Sequence, residues 1–567
     1  MAPLDTTEPV SVGTSPLDLL LSQAALGTSP RAVTGGTAIA FGRALASRPR
    51  RVAARAGGLA GELGRIAVGG STVAPSKRDK RFADPAWSEN AVLKRLVQCY
   101  LATGQAVEGL VQDLPMDWQD GERVRFLAAN VVEALSPSNN PLTSPVAWKA
   151  AIDTGGLSAV RGVRNLVRDL STAPRIPSMV DRSAFTVGVD TGMSPGAVVL
   201  RTKQFELIQY TPTTETVRRE PLLIVPPTIN KYYVLDLAPG RSLVQHLVDS
   251  GQQVFVMSWR NPDARHSKWG VDVYAQAIID AMTAVRDIAD VEALHLLAAC
   301  SGGILASMVA SHLEQTGDLD LLASLTLLVT VLDQERVGTT GAFVDEQVAE
   351  AAMAASRRKG YLDGRKLAEV FAWLRPSDLI WNYWVTNFLE GKQPPAFDIL
   401  AWNADTTRMT ARLHADFLRM TLANALVKAG GSSVLGTEVD LKKVTVDSYI
   451  VAGVADHLCP WQSCFRSTQM LGGNSRFVLS TNGHIAALVN PPSNPKSSYV
   501  VQDEPVAPGV DAETWQAGAT QKQGSWWPDY VAWLSERSKE DVPAPAALGS
   551  ATHKVLEAAP GSYVLDA

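Results

Sequence analysis

Between residues 252 and 332, strand-length apolar runs alternate with helix-length amphipathic ones. The runs "QQVFVMSW" (252–259), "LHLLAA" (294–299) and "SLTLLVTVL" (324–332) are separated by "VDVYAQAIIDAMTAVRDIA" (271–289) and "GGILASMVASHLEQT" (302–316), whose apolar residues recur at helical spacing. Strands apolar along their whole length are buried on both faces. Alternating with helices, they predict an α/β fold built on a parallel sheet covered on both sides. With 567 residues, 46% of them hydrophobic, the chain can bury such a core.

The same reading divides the rest of the chain. Residues 1–80 are rich in Gly, Ala and Arg, with basic clusters at Arg48, Arg50, Arg51 and Arg55 and at Lys77, Arg78, Lys80 and Arg81, and are expected to form a flexible or weakly helical arm. Residues 81–195 read as a mainly helical N-terminal domain, broken by "SPSNNPLTSP" (136–145). The short β-rich runs "FELIQYTP" (205–212) and "PLLIVPP" (221–227) open a catalytic domain assigned to 196–567. From about 334 to 440 the strand pattern gives way to helical and aromatic segments before resuming at "VTVDSYIVAG" (444–453) and "SRFVLST" (475–481). A helical cap inserted into the sheet accounts for that interruption.

Where "LHLLAA" meets the next helix, the sequence reads Ala298-Ala299-Cys300-Ser301-Gly302-Gly303. A nucleophile elbow places a reactive side chain on a tight strand-to-helix turn flanked by small residues. Cys300 occupies the nucleophile position of that pattern, with Ala298 and Gly302 at the small positions. Downstream, "VTVDSYIVAG" runs out at Asp456, and "SRFVLST" runs out at His484. Nucleophile, acid and histidine therefore follow three strands in the order such a fold requires. Asp333, after "SLTLLVTVL", is the alternative acid. Cys459 and Cys464 in "LCPWQSC" read as inert core or loop thiols, and Ser301 is assigned a backbone role, its amide donating to an oxyanion.

Other classes of function are disfavoured. A formal net charge of -5 gives no global basis for nucleic-acid binding. Four irregularly spaced cysteines form neither a disulfide framework nor a structural zinc motif. Neither a secretory signal nor a transmembrane segment is expected, so a cytoplasmic location is the default.

The motifs "AACSGG", "PPTINKYYVLDL", "VFVMSWRNPD", "RPSDLIWNYWV", "PPAFDILAWNADTTRM", "VAGVADHLCPW" and "NGHIAALVNPP" together resemble the polyhydroxyalkanoate synthases, from about residue 80 to near the C-terminus. Their wording is closest to the medium-chain-length subgroup. Two positions depart from the family pattern: Ala298 replaces a usual glycine, and Thr410 stands near a frequent proline. The resemblance implies an α/β-hydrolase fold with a helical cap and an acyltransferase that polymerises (R)-3-hydroxyacyl-CoA into polyester with release of CoA. Cys300 would be the covalent nucleophile, His484 the base and Asp456 its partner, or else the group acting directly on the hydroxyl. The Ser301 amide, with Thr228 or Ile229 from the "PPTIN" loop, would form the oxyanion hole. His457, Trp384 and Trp402 are candidate substrate contacts. Trp373, Trp381, Tyr383 and Phe388 fit either a dry channel or an ordinary aromatic core. No metal and no cofactor beyond the CoA thioester substrate is implied. The resemblance also suggests a homodimer located at polymer granules and contacting the growing chain. A cysteine-triad acyl-CoA thioesterase or polyester hydrolase is the alternative reading.

Overall fold

The computed structural model describes residues 35–566 apart from 78, 172–173, 336–345, 375 and 457. They form two compact units. One runs to Met179 and includes Gln347–Ala355 and Glu369–Pro394; the other comprises Val180–Glu346, Ser356–Ala368 and the chain from Pro395 onward.

The first unit is helical: α1 (Gly35–Ser47), α2 (Pro49–Ala67), α3 (Ala91–Asp113), α4 (Trp118–Ala134) and α5 (Leu157–Ser171). Asn90 caps α3 by accepting from the amides of Val92 and Leu93, and Asp117 caps α4 through Asp120 N. Of the arm expected to be flexible or weakly helical, residues 1–34 lie outside the described residues, and residues 35–67 are helical. They are two helices, and α2 lies on α3, where Arg51 and Arg55 reach Asp113 at 3.2 and 2.8 Å. Gly109 makes room for this contact, since a Cβ there would meet the Arg55 guanidinium at 2.6 Å. The expected cap also divides. Its segment 369–394 belongs to the first unit, where Asn165 on α5 donates to the Asn387 carbonyl at 3.0 Å and Trp384 Nε1 donates to the Asn139 carbonyl at 3.1 Å.

The second unit carries an eleven-stranded mixed sheet. Its strands are β1 (Gly196–Arg201), β2 (Phe205–Tyr210), β3 (Leu222–Val225), β4 (Val254–Trp259), β5 (Leu294–Ala299), β6 (Leu322–Leu328), β7 (Ser448–Gly453), β8 (Ser475–Ser480), β9 (Ser498–Val501), β10 (Thr520–Gln523) and β11 (Glu557–Ala558). The spatial order is β10-β9-β8-β7-β6-β5-β3-β4-β2-β1-β11. The six strands from β8 to β4 are parallel to one another, and the flanking ones are antiparallel. Every residue of β3, β4, β5 and β7 is buried, as strands covered on both faces require. The helices α6 (Val271–Ala289), α7 (Ser301–Thr316), α8 (Trp461–Met470) and α9 (Trp527–Ser535) complete the layers. The chain crosses the sheet in one direction through β5, β7 and β8. Residues just beyond their C-terminal ends are therefore gathered at one edge.

Candidate active site

Cys300 is the hinge between β5 and α7, with φ 50° and ψ −119°, a left-handed conformation rare for a residue bearing a side chain. Such strain is characteristic of an elbow that exposes its side chain at the sheet edge. The sequence behind it leaves no slack. A Cβ on Gly302 would meet the Pro226 carbonyl oxygen at 2.5 Å, and one on Gly303 would meet Thr330 Oγ1 at 2.1 Å. Ala298, by contrast, is fully buried in register with Val225 and Leu327, and its methyl is part of the core.

Asp456 follows β7 and His484 follows β8, as the strand ends predict. His484 Nδ1 and Asp456 Oδ2 are 2.7 Å apart, with the carboxylate side chain wholly buried. The other carboxylate oxygen accepts from the amides of Leu458 and Cys459 at 2.8 and 2.9 Å, curling the loop back on itself. The donor atoms of Cys300, Cys459 and His484 all lie within 4.8 Å of one another.

This arrangement sets the charges. The Cys300 thiol is held well below the ordinary thiol range, first by a hydrogen bond from Cys459, then, against the opposing effect of burial, by His484 and the Ser301 amide. Burial pulls the His484 imidazole down, but the charge and hydrogen bond of Asp456 and the contact with Cys300 outweigh it and raise it to about 10. Cys459 is pushed well above its usual value because it donates to Cys300 and is buried. These shifts favour the charged forms of Cys300 and His484 and the protonated form of Cys459.

The remaining sequence-named residues are placed as follows. Asp333 is committed elsewhere, to Arg466 at 2.6 Å and to Asn424 at 2.8 Å. The Thr228 amide donates to Ser301 Oγ at 2.9 Å, so Thr228 N is already engaged and the Ser301 hydroxyl ties the elbow to the loop that carries Thr228. Ile229 packs partly buried against the core of the second unit. Trp402 is buried and donates through Nε1 to the Lys231 carbonyl at 2.7 Å, bracing the loop that carries Thr228 and Ile229. Trp384 packs edge-on against Trp381 and Phe388 within the first unit. His457 lies outside the described residues. Cys464 is buried, its Sγ 3.8 Å from the Cys459 carbonyl oxygen, as an inert core thiol would be. Cys459 is not. Sequence reasoning missed its place beside Cys300, and the one available signal was the Asp456-x-x-Cys459 spacing of an Asx turn.

A mixed sheet with a parallel centre, and a cysteine on a strained strand–helix turn beside a histidine held by a buried aspartate, defines a protein of the α/β-hydrolase fold. Residues 221–491 match the family model described as alpha/beta hydrolase fold, and residues 78–247 match that described as Poly-beta-hydroxybutyrate polymerase (PhaC) N-terminus. The chain is 44% identical over 507 residues to poly(3-hydroxyalkanoate) polymerase 2 of Ectopseudomonas oleovorans, covering 89% of this chain and 90% of that one. It is 41% identical over 495 residues to the poly(3-hydroxyalkanoate) polymerase subunit PhaC of Cupriavidus necator, covering 86% and 83%. The chain belongs to the poly(3-hydroxyalkanoate) polymerase family.

Proposed function

We propose that this acyltransferase polymerises (R)-3-hydroxyacyl-CoA through a thioester on Cys300, with His484 as proton carrier and Asp456 orienting it. The observation that carries the reading is the 2.7 Å Asp456–His484 bond beside a cysteine on a positive-φ elbow. The Cys300 thiolate attacks the thioester carbonyl and the C–S bond to CoA breaks. The departing CoA sulfur takes the His484 proton, leaving the imidazole neutral. Exchanging one thioester for another changes the free energy little, so the acyl group stays activated. The neutral imidazole then accepts the proton of an incoming 3-hydroxyl as its oxygen attacks the acyl-enzyme, and Cys300 leaves as thiolate. The Ser301 amide and the Ile229 amide serve the oxyanion, with Thr228 N reserved for Ser301 Oγ.

A homodimer bound at the granule surface and in contact with the growing polyester belongs to the same proposal. Among the described residues no helix is long and apolar enough to cross a membrane. Assaying CoA release and polymer mass together on 3-hydroxybutyryl-CoA and 3-hydroxydecanoyl-CoA, with Cys300→Ala beside the unsubstituted protein, tests the reading. Matched CoA and polymer, both absent in the variant, are expected; CoA with only free hydroxy acid would make the protein a thioesterase. The preferred substrate of the pair assigns the monomer length.

A further inference from the structure

The cluster at the elbow has one more soft donor than the reaction uses. Cys300 Sγ, Cys459 Sγ and a ring nitrogen of His484 lie within 4.8 Å of one another. Ligands held tetrahedrally at about 2.0–2.3 Å from one zinc ion stand about 3.3–3.8 Å apart, so the cluster needs only a small contraction to close on one. The outer shell is built as well. His484 turns Nδ1 to Asp456 at 2.7 Å, leaving Nε2 as the free ligand atom, the carboxylate–histidine arrangement that fixes ring orientation at zinc sites. The same carboxylate anchors the Cys459 amide at 2.9 Å, so Asp456 holds two of the three ligands in place.

We propose that Cys300, Cys459 and His484 form a three-ligand site for a thiophilic divalent cation, with Zn2+ as the fitting ion and a fourth position open to water. Two thiolates and a neutral imidazole are a donor set that selects zinc over magnesium or calcium. Binding forms two metal–sulfur bonds and one metal–nitrogen bond and releases protons to solvent, so affinity rises with pH. The site itself needs only the geometry. Its consequence rests on the function proposed above: an ion there engages the nucleophile and the proton carrier at once, and the enzyme stops. Because an acylated Cys300 is no longer a ligand, the cation and hydroxyacyl-CoA exclude each other.

Titration of the full-length, reduced and chelator-stripped protein with Co2+ reads the site directly, through sulfur-to-metal charge-transfer absorption. One equivalent should bind, Zn2+ should displace it, and Mg2+ should not. Cys459→Val and Cys459→Ser should each lose the absorption, and should raise the Zn2+ concentration that halves their own metal-free CoA release by about a hundredfold. Cys464→Ser and Cys99→Ser should change neither. A signal or Zn2+ potency unchanged in both Cys459 variants overturns the site. If Co2+ binds through the three residues while turnover continues undiminished, the site stands and the assignment of Cys300 and His484 to catalysis falls.

Discussion

The Asp456 carboxylate holds His484 Nδ1 at 2.7 Å with one oxygen and the Cys459 amide at 2.9 Å with the other. A single buried charge thereby orients His484 and the loop that brings a second thiol beside Cys300. Removing that charge should affect reactivity before it affects fold. Cys300 is depressed by Cys459, His484 and the Ser301 amide, and His484 is raised to about 10, shifts that both favour the thiolate. Inactivation by iodoacetamide should be nearly constant from about pH 6.5 to 9. In Asp456→Asn the imidazole loses the charge that raises it, its support of the Cys300 thiolate weakens while the Cys459 contact remains, and the rate at pH 7 should drop and climb with pH. An unsubstituted protein whose alkylation rate climbs tenfold between pH 7 and 8 would refute the resting ion pair.

Asp333 was the competing acid, and its partners separate the two assignments. Asp333→Asn breaks a 2.6 Å pair with Arg466 but leaves His484 with Asp456. Its kcat should stay within about threefold of the unsubstituted protein, while Asp456→Asn should lose about 10³- to 10⁴-fold. Comparable losses in the two variants would return Asp333 to consideration.

Much of this site is legible in the sequence because strand ends position residues. Cys300, Asp456 and His484 come just after β5, β7 and β8, and parallel strands bring their ends to one edge whatever the loops do. Cys459 is invisible by the same logic, because its position depends on an Asx turn within the loop. Trp384 fits a channel and a helical core equally well in sequence, and the carbonyl its Nε1 donates to, that of Asn139, lies 245 positions upstream. Residues 35–67 look like an arm because Gly and Ala carry little apolar pattern. What ties α2 down includes the Arg51 and Arg55 pairs with Asp113, long-range contacts that periodicity does not report.

Replacing either glycine of the elbow should be costly, and reverting the alanine should not. Gly302→Ala drives a methyl to 2.5 Å from the Pro226 carbonyl and should destabilise by roughly 2–4 kcal/mol, seen as a lower thermal unfolding midpoint with loss of activity. Ala298→Gly removes one buried methyl, for roughly 1 kcal/mol, and should keep kcat within about twofold. A Gly302→Ala protein as stable and active as the original would contradict the packing described behind Cys300.

Ser301 is expected to matter through its hydroxyl. Ser301→Ala deprives the Thr228 amide of its acceptor, and an unpaired buried N–H costs about 1–3 kcal/mol unless the loop moves. Movement would carry Ile229 with it, so kcat should fall about tenfold with little change in KM. Unchanged kcat in Ser301→Ala would detach the "PPTIN" loop from the oxyanion.

Acid sensitivity should arise outside the site, at one histidine in the sheet core and one on the helix Ala411–Ala423. His295 on β5 is completely buried, with Nδ1 2.8 Å from Ser324 Oγ, and burial, assisted by Arg537, lowers it to about 4. His414, 2.8 Å from Ser356 Oγ, is lowered to about 4 by burial as well. Between pH 4 and about 6.5 the unfolded chain binds protons that the folded one refuses, so the stability these sites hold is complete above about pH 6.5 and drains away as pH falls toward 4. Each shift is worth up to about 3 kcal/mol. The unfolding midpoint should therefore drop between pH 6.5 and 4.5, and His295→Gln should flatten that drop even if it lowers the midpoint at pH 7. Parallel pH profiles for the two proteins would mean that His295 takes no part in acid unfolding.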